Sequence, residues 1–135
     1  MQDNQILTDL AARLEAAPEG SPELDRMIGE ALRIQPHMAT RGDATRVDQI
    51  YPAWLPYTTS TEAALSLWDT PDIGRGYPRR GINLFYAVLP GGKMAWAATA
   101  WELKDGNLVI LHVGEGQHRS RPLSACIAAI KGSAT

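Results

Sequence analysis

Cysteine is almost missing from this chain of 135 residues: Cys126 stands alone, so no internal disulfide can form and nothing in the sequence calls for an oxidising compartment. Long apolar runs are missing too. No stretch approaches the ~18 residues that read as a membrane span. The opening residues Met1 to Asp9 are polar and acidic, unlike a secretory signal, so the expected setting is the cytoplasm. Excess charge of either sign is also lacking. Thirteen basic against fifteen acidic residues leave a net charge of −2, which argues against a general nucleic-acid binder, since those are usually basic overall. The familiar catalytic spacings G-x-S-x-G, H-E-x-x-H, C-x-x-C and the phosphate-binding glycine loop do not occur, and His37, His112 and His118 lie too far apart to form a metal motif. The reading is therefore of a non-enzymatic chain that needs no cofactor or metal.

What is present fits one ordinary domain, 1–135. Apolar residues make up 44% and charged residues 21%, the balance of a globular protein able to bury a real core. Ile6, Leu10 and Leu14, with Leu7 and Ala11 beside them, form a helical stripe over about 5–16, which Pro18-Glu19-Gly20 ends. Ser21-Pro22 starts a second helix: a side-chain cap, then proline where an N–H would be idle. Its buried stripe is Leu24, Met27, Ile28, Ala31 and Leu32, with Asp25, Arg26 and Glu30 on the wet side. Residues 36–57 read as a long connection in which Trp54 and its neighbours cover an edge of the core. Thr59 and Glu62 stand in capping-box spacing at the head of a third helix. A glycine- and arginine-rich loop, Asp69 to Gly81, follows.

Three strands come next, predicted at 82–89, 93–103 and 108–113. Two-residue turns at Gly91-Gly92 and Asp105-Gly106 would pair Leu89 with Met94 and Leu103 with Leu108. Ile82, Leu84, Tyr86, Val88, Ala97, Thr99, Trp101 and His112 then share one face, and Phe85, Ala87, Met94, Trp96, Ala98 and Ala100 the other. Neither face alternates with polar residues, so each calls for a cover. A last helix over about 122–131 carries Leu123, Cys126, Ile127 and Ile130 at spacings 0, 3, 4 and 7. The expected fold class is α+β: a three-layer alpha-beta-alpha sandwich around a short antiparallel β-meander.

Three stretches, taken in order, resemble a known family: Ser21-Pro22-Glu23-Leu24-Asp25, the run 56–65 (PYTTSTEAAL) and the run 121–131 (RPLSACIAAIK). Their succession is similar to the phage ABA sandwich domain family, small proteins encoded by phages and prophages. The resemblance implies the alpha-beta-alpha sandwich and a phage or prophage origin; it implies no catalytic residue. The chain departs from the family's pattern in its arginine-rich 69–81 loop and in the basic approach to the last helix, Glu115 to Arg121.

Two groups of residues are candidates for binding. Arg75, Tyr77, Arg79 and Arg80 interleave with glycine in one loop, and His118, Arg119 and Arg121 precede a helix start. Guanidinium forks and helix N-termini suit phosphate, carboxylate or an acidic protein surface. The meander's topology places the two groups at opposite ends of the sheet. In the register above, His112 lies beside Thr99 with Tyr86 near, a polar spot that could anchor a small ligand. Trp54, Trp68 and Tyr77 read either as interface anchors or as seals on the core. The function expected is binding: a host or phage protein as partner, with a block on host defence as one role, or a small nucleotide or other phosphate-bearing ligand, or a place in a virion or assembly as a homo-oligomer. Cys126, on an apolar stripe, reads as a core residue rather than a nucleophile.

Overall fold

The structure is a computed structural model and describes residues 2–40, 50–68, 80–104 and 109–134. In chain order these form α1 (Gln2–Ala16), α2 (Pro22–Ala31), β1 (His37–Thr40), β2 (Ile50–Ala53), α3 (Thr61–Ser66), β3 (Arg80–Val88), β4 (Met94–Lys104), β5 (Val109–His118) and α4 (Arg121–Ser133). Strands β1 and β2 make a small antiparallel pair inside the segment expected to be a connection. Strands β3, β4 and β5 make the antiparallel meander. The α+β class expected from the sequence holds.

Each described helix start except that of α1 shows its cap. Ser21 Oγ accepts from Leu24 N–H, Ser60 Oγ from Ala63 N–H and Ser120 Oγ from Leu123 N–H. The cap of α3 is thus Ser60, one residue beyond the expected Thr59. In α1 the buried stripe is Leu7, Leu10, Ala11 and Leu14, and Ile6 lies off it, 52% exposed.

Helix α4 is buried on nearly all sides, from Leu123 through Ile130, which is what a helix apolar all round requires. It lies across β3, β4 and β5, with α1 and α3 packed on its far side. Leu123, Cys126, Ile127 and Ile130 meet the helical core of Leu10, Leu14, Ile28 and Tyr57. Ala128 and Ala129 meet Ala98, Ala100 and the fully buried Trp68 on the sheet side. Trp68 is therefore a core seal, its indole N–H held by Trp101 O at 2.8 Å. The described helices gather on one side of the meander rather than on both: sheet, then α4, then α1 and α3.

The register decides which residues lie under the helices. Leu89 N–H bonds to Lys93 O and Gly92 N–H to Leu89 O, so three residues, Pro90-Gly91-Gly92, separate the paired Leu89 and Lys93. Proline second and a left-handed Gly91 (φ 92°) third is the residue signature of a type II turn. Val88 therefore faces Met94, where Leu89 was expected to. A slip of one residue turns β4 over relative to β3. The face under α4 carries Ile82, Leu84, Ala98 and Ala100, while Asn83, Phe85, Glu115 and Gln117 fall on the far face with Ala95, Ala97 and Thr99; the first four are exposed, and the small central-strand residues between them are buried.

Strand β5 differs as well. Leu103 lies opposite Ile110, not Leu108, and an irregularity between Ala100 and Trp101 shifts the pairing, so that His112 faces Trp101 and Gly114 faces Ala100. The expected turn at Asp105-Gly106 lies outside the described residues. The strand also continues past 113 through Gly114-Glu115-Gly116-Gln117-His118. These glycines have a cause in α4: a Cβ on Gly116 would sit 2.4 Å from Ser124 O, and one on Gly114 2.2 Å from Ala128 O. The helix backbone rests directly on the strand.

A last difference concerns Asp25, expected on the wet side of α2. It is 8% exposed. Its Oδ1 accepts from Thr58 N–H at 2.8 Å and from Thr58 Oγ1–H at 2.6 Å, and Thr58 Oγ1 in turn accepts from Ser21 N–H at 3.0 Å. This network ties the start of α2 to the segment before α3.

Candidate functional site

Because α4 begins only at Arg121, it covers the sheet as far as Leu84, Ala98 and Gly116 and leaves the turn end bare. Beyond it, on the same face, lie Tyr86 and Val88 of β3, Met94 and Trp96 of β4 and His118 of β5. Tyr86 is 55%, Val88 66% and Met94 41% exposed. The Tyr86 and Trp96 rings meet at 5.0 Å between centroids, tilted by 54°. The Arg121 guanidinium stands 5.1 Å over the Trp96 ring, and its Nε–H donates to Thr61 Oγ1 at 3.0 Å. Arg121 is thus aimed by α3 and by an aromatic face together, a favourable seat for a guanidinium.

His118 closes this end against α1. Its Nδ1 accepts from Ser120 N–H at 2.8 Å, and its Nε2 lies 2.6 Å from Ala17 O. A backbone N–H aimed at Nδ1 leaves that nitrogen without a proton, so Nε2 carries it and donates to Ala17 O. Both ring nitrogens are engaged. The ring positions the end of β5 on α1. Beside it opens a cleft of about 760 Å³, lined among others by Glu15, Lys93, Met94, His118 and Arg119. Glu15 is bound to Lys131 at 2.9 Å. Lys93 and Arg119 are exposed and meet no acidic group among the described residues, so the cleft presents positive charge beside an apolar floor.

The structure therefore gathers four of the residues singled out from the sequence, His118, Arg119, Arg121 and Tyr86, around Trp96 and Met94. Others fall elsewhere. Arg80 is at the opposite end of the sheet, as expected, with Nε 3.6 Å from Glu102 Oε2 and its guanidinium 3.6 Å over the Trp68 ring. It bridges strand and core and is not free for a ligand. Arg75, Tyr77 and Arg79 lie outside the described residues. The polar spot of Tyr86, Thr99 and His112 does not assemble: Tyr86 pairs with Trp96 on the α4 face, Thr99 pairs with Asn83 on the far face, and the backbone of His112 faces Trp101. The one-residue slip at the turn puts Tyr86 and Thr99 on opposite faces, and the β4–β5 register sets Glu115 rather than His112 opposite Thr99.

Among the described residues no group of three histidine, cysteine or acidic side chains could hold a metal ion. Cys126 is fully buried, 3.1 Å from Tyr57 O, and burial, aided by the Asp25 charge, pushes its thiol well above the ordinary range. It is a core residue. Sequence reasoning missed Lys93, Met94 and Trp96, whose grouping with Tyr86 depends on the strand register. No helix among the described residues is long and apolar enough to cross a membrane. No protein-family model matches the chain, and no curated protein or solved structure is detectably similar to it.

Proposed function

We propose that this chain is a small binding protein without catalytic activity of its own, and that the turn end of the meander is the surface it offers to a partner protein. One observation carries the reading: Tyr86, Val88 and Met94 stand exposed around a tryptophan that seats an arginine. Aromatic residues, methionine and arginine are the types enriched where proteins meet. Lys93 and Arg119 at the margin favour a partner with acidic groups beside an apolar patch. The family resemblance supplies the setting, a phage or prophage protein acting in the host cytoplasm on a host or phage protein, with inhibition of host defence as its role. Affinity capture from host lysate tests this. The intact protein retains a partner, and Trp96→Ala combined with Arg121→Ala loses it. Capture of nothing, or equal capture by the double variant, rejects the reading.

The cleft favours a second reading, a small phosphate-bearing ligand held by Lys93 and Arg119. Its volume lies within the range of small-molecule sites. A ligand that binds only the native state raises its melting temperature. A nucleotide panel that produces no shift at millimolar concentration excludes it.

A further inference from the structure

Strand β3 has one partner among the described residues, β4, and so runs along an edge of the meander. Its hydrogen-bonding direction follows from the turn. Leu89 N–H points inward, to Lys93 O. Antiparallel strands alternate inward and outward groups, so Ala87, Phe85, Asn83 and Gly81 also point to β4. Ile82, Leu84, Tyr86 and Val88, with Arg80, present their N–H and C=O groups outward.

Edges of this kind are usually blunted by lysine, proline, a bulge or an inward charge. From Gly81 to Val88 there is none of these. Arg80 carries the only charge, and Glu102 partly neutralises it. Phe85 on one face of the strand and Tyr86 and Val88 on the other are each more than half exposed. A strand laid alongside would cover both faces at once. The β5 edge is different: it bears Glu115, and α1 packs against it and is fastened through His118.

We infer that the open edge of β3 is a self-association surface, on which a second copy of the chain pairs antiparallel through residues 80–88 to make one continuous six-stranded sheet. The strand is its own complement. With Leu84 on the two-fold axis, Ile82 faces the second copy's Tyr86 and Arg80 faces its Val88. Every outward-pointing residue of β3 then finds an outward-pointing residue, for about ten backbone hydrogen bonds. On the α4 side, Ile82, Leu84 and Tyr86 of the two copies form one apolar row. On the far side each Phe85 stands beside an Asn83. No like charges are opposed, and the small net charge of −2 does not drive copies apart. The contact is a strip about 30 Å long and one strand wide, narrower than the roughly 1,200 Å² of lasting complexes, so the pairing is reversible and depends on concentration. It goes beyond the partner surface proposed above and does not rest on it.

Sedimentation equilibrium on the full chain between micromolar and millimolar concentration tests the inference, together with amide exchange followed residue by residue. The expected result is a rise from monomer to dimer mass. In step with it, the amides of Ile82, Leu84, Tyr86 and Val88 become protected, while those of Asn83, Phe85 and Ala87 are protected at every concentration. Val88→Lys and Tyr86→Pro each weaken dimerisation at least about tenfold, and Glu115→Lys on the opposite edge leaves it unchanged. A monomeric mass at millimolar concentration overturns the inference. So does protection of the four outward amides in the dilute monomer, which would mean that the chain covers its own edge.

Discussion

At the scale of single residues, the polar groups of the interior carry more of the design than the sequence announces. Asp25 looks like a surface carboxylate on a helix, yet its Oδ1 satisfies both donors of the buried Thr58. Asp25→Ala strands Thr58 N–H, while the hydroxyl can turn to Ser21 O at 3.1 Å, and should cost about 1–3 kcal/mol; Asp25→Asn, which keeps an acceptor, should cost less. Urea denaturation of both variants measures the difference. Cys126 provides a pH dependence with a definite sign. Burial, with the nearby Asp25 charge, raises its thiol above the ordinary value of 9.0, and burial pushes the Tyr57 phenol up from 10.0. Below pH 9 both groups are neutral, folded or unfolded, and the stability is fully present. Above it the unfolded chain releases protons that the folded chain keeps. Stability then falls as pH rises, by up to about 1.4 kcal/mol per pH unit for each group. The urea midpoint should drop as pH rises from 9 to 10.5, and less steeply in Cys126→Ala. The native thiol should also resist alkylation until the chain is unfolded. His118 gives a third check: nitrogen shifts of its ring should report Nδ1 as the acceptor and Nε2 as the donor.

At the scale of elements, what the sequence revealed and what it hid have separate physical causes. Starts with local chemistry were legible: Ser21-Pro22 caps its helix within four residues, and the apolar stripes of α1 and α4 need only their own period. Strand β5 was read as ending at 113, because glycines weaken a strand when nothing else explains them. Their explanation lies in another element, since α4 can rest on the backbone of β5 only if Gly114 and Gly116 carry no side chain. Gly116→Ala should therefore lift the helix, cost about 1–3 kcal/mol or more and lower the melting temperature by several degrees, a loss no gain in strand propensity offsets. The turn shows the opposite case. Pro90-Gly91-Gly92 is an evident turn, but whether two or three residues bridge the strands depends on which carbonyl Gly92 N–H finds. That choice decided which residues of β4 share a face with Tyr86.

At the scale of the whole molecule, the α+β class was legible because two signals of different period, helical and alternating, occupy separate stretches of the chain. The side on which the helices gather was not, because it depends on faces that the register assigns. The same holds for the candidate site. His118, Arg119 and Arg121 were conspicuous as residues, but Trp96 joins them only in the folded sheet. Replacing Trp96 and Arg121 together by alanine should weaken partner capture at least about tenfold and leave the far-ultraviolet dichroism unchanged, since Trp96 lies at the bare end of the sheet and Arg121 at the first residue of α4. The central place of α4 has a consequence in time. It is the middle layer for α1, α3 and all three strands of the meander, yet it follows every one of them in the chain. A ribosome adding about 5–20 residues per second makes α4 roughly 5–20 seconds after α1. Through that interval Leu7, Leu10, Ala11 and Leu14 have no α4 to pack against, and the nascent chain must rely on chaperones or fold only once α4 has emerged.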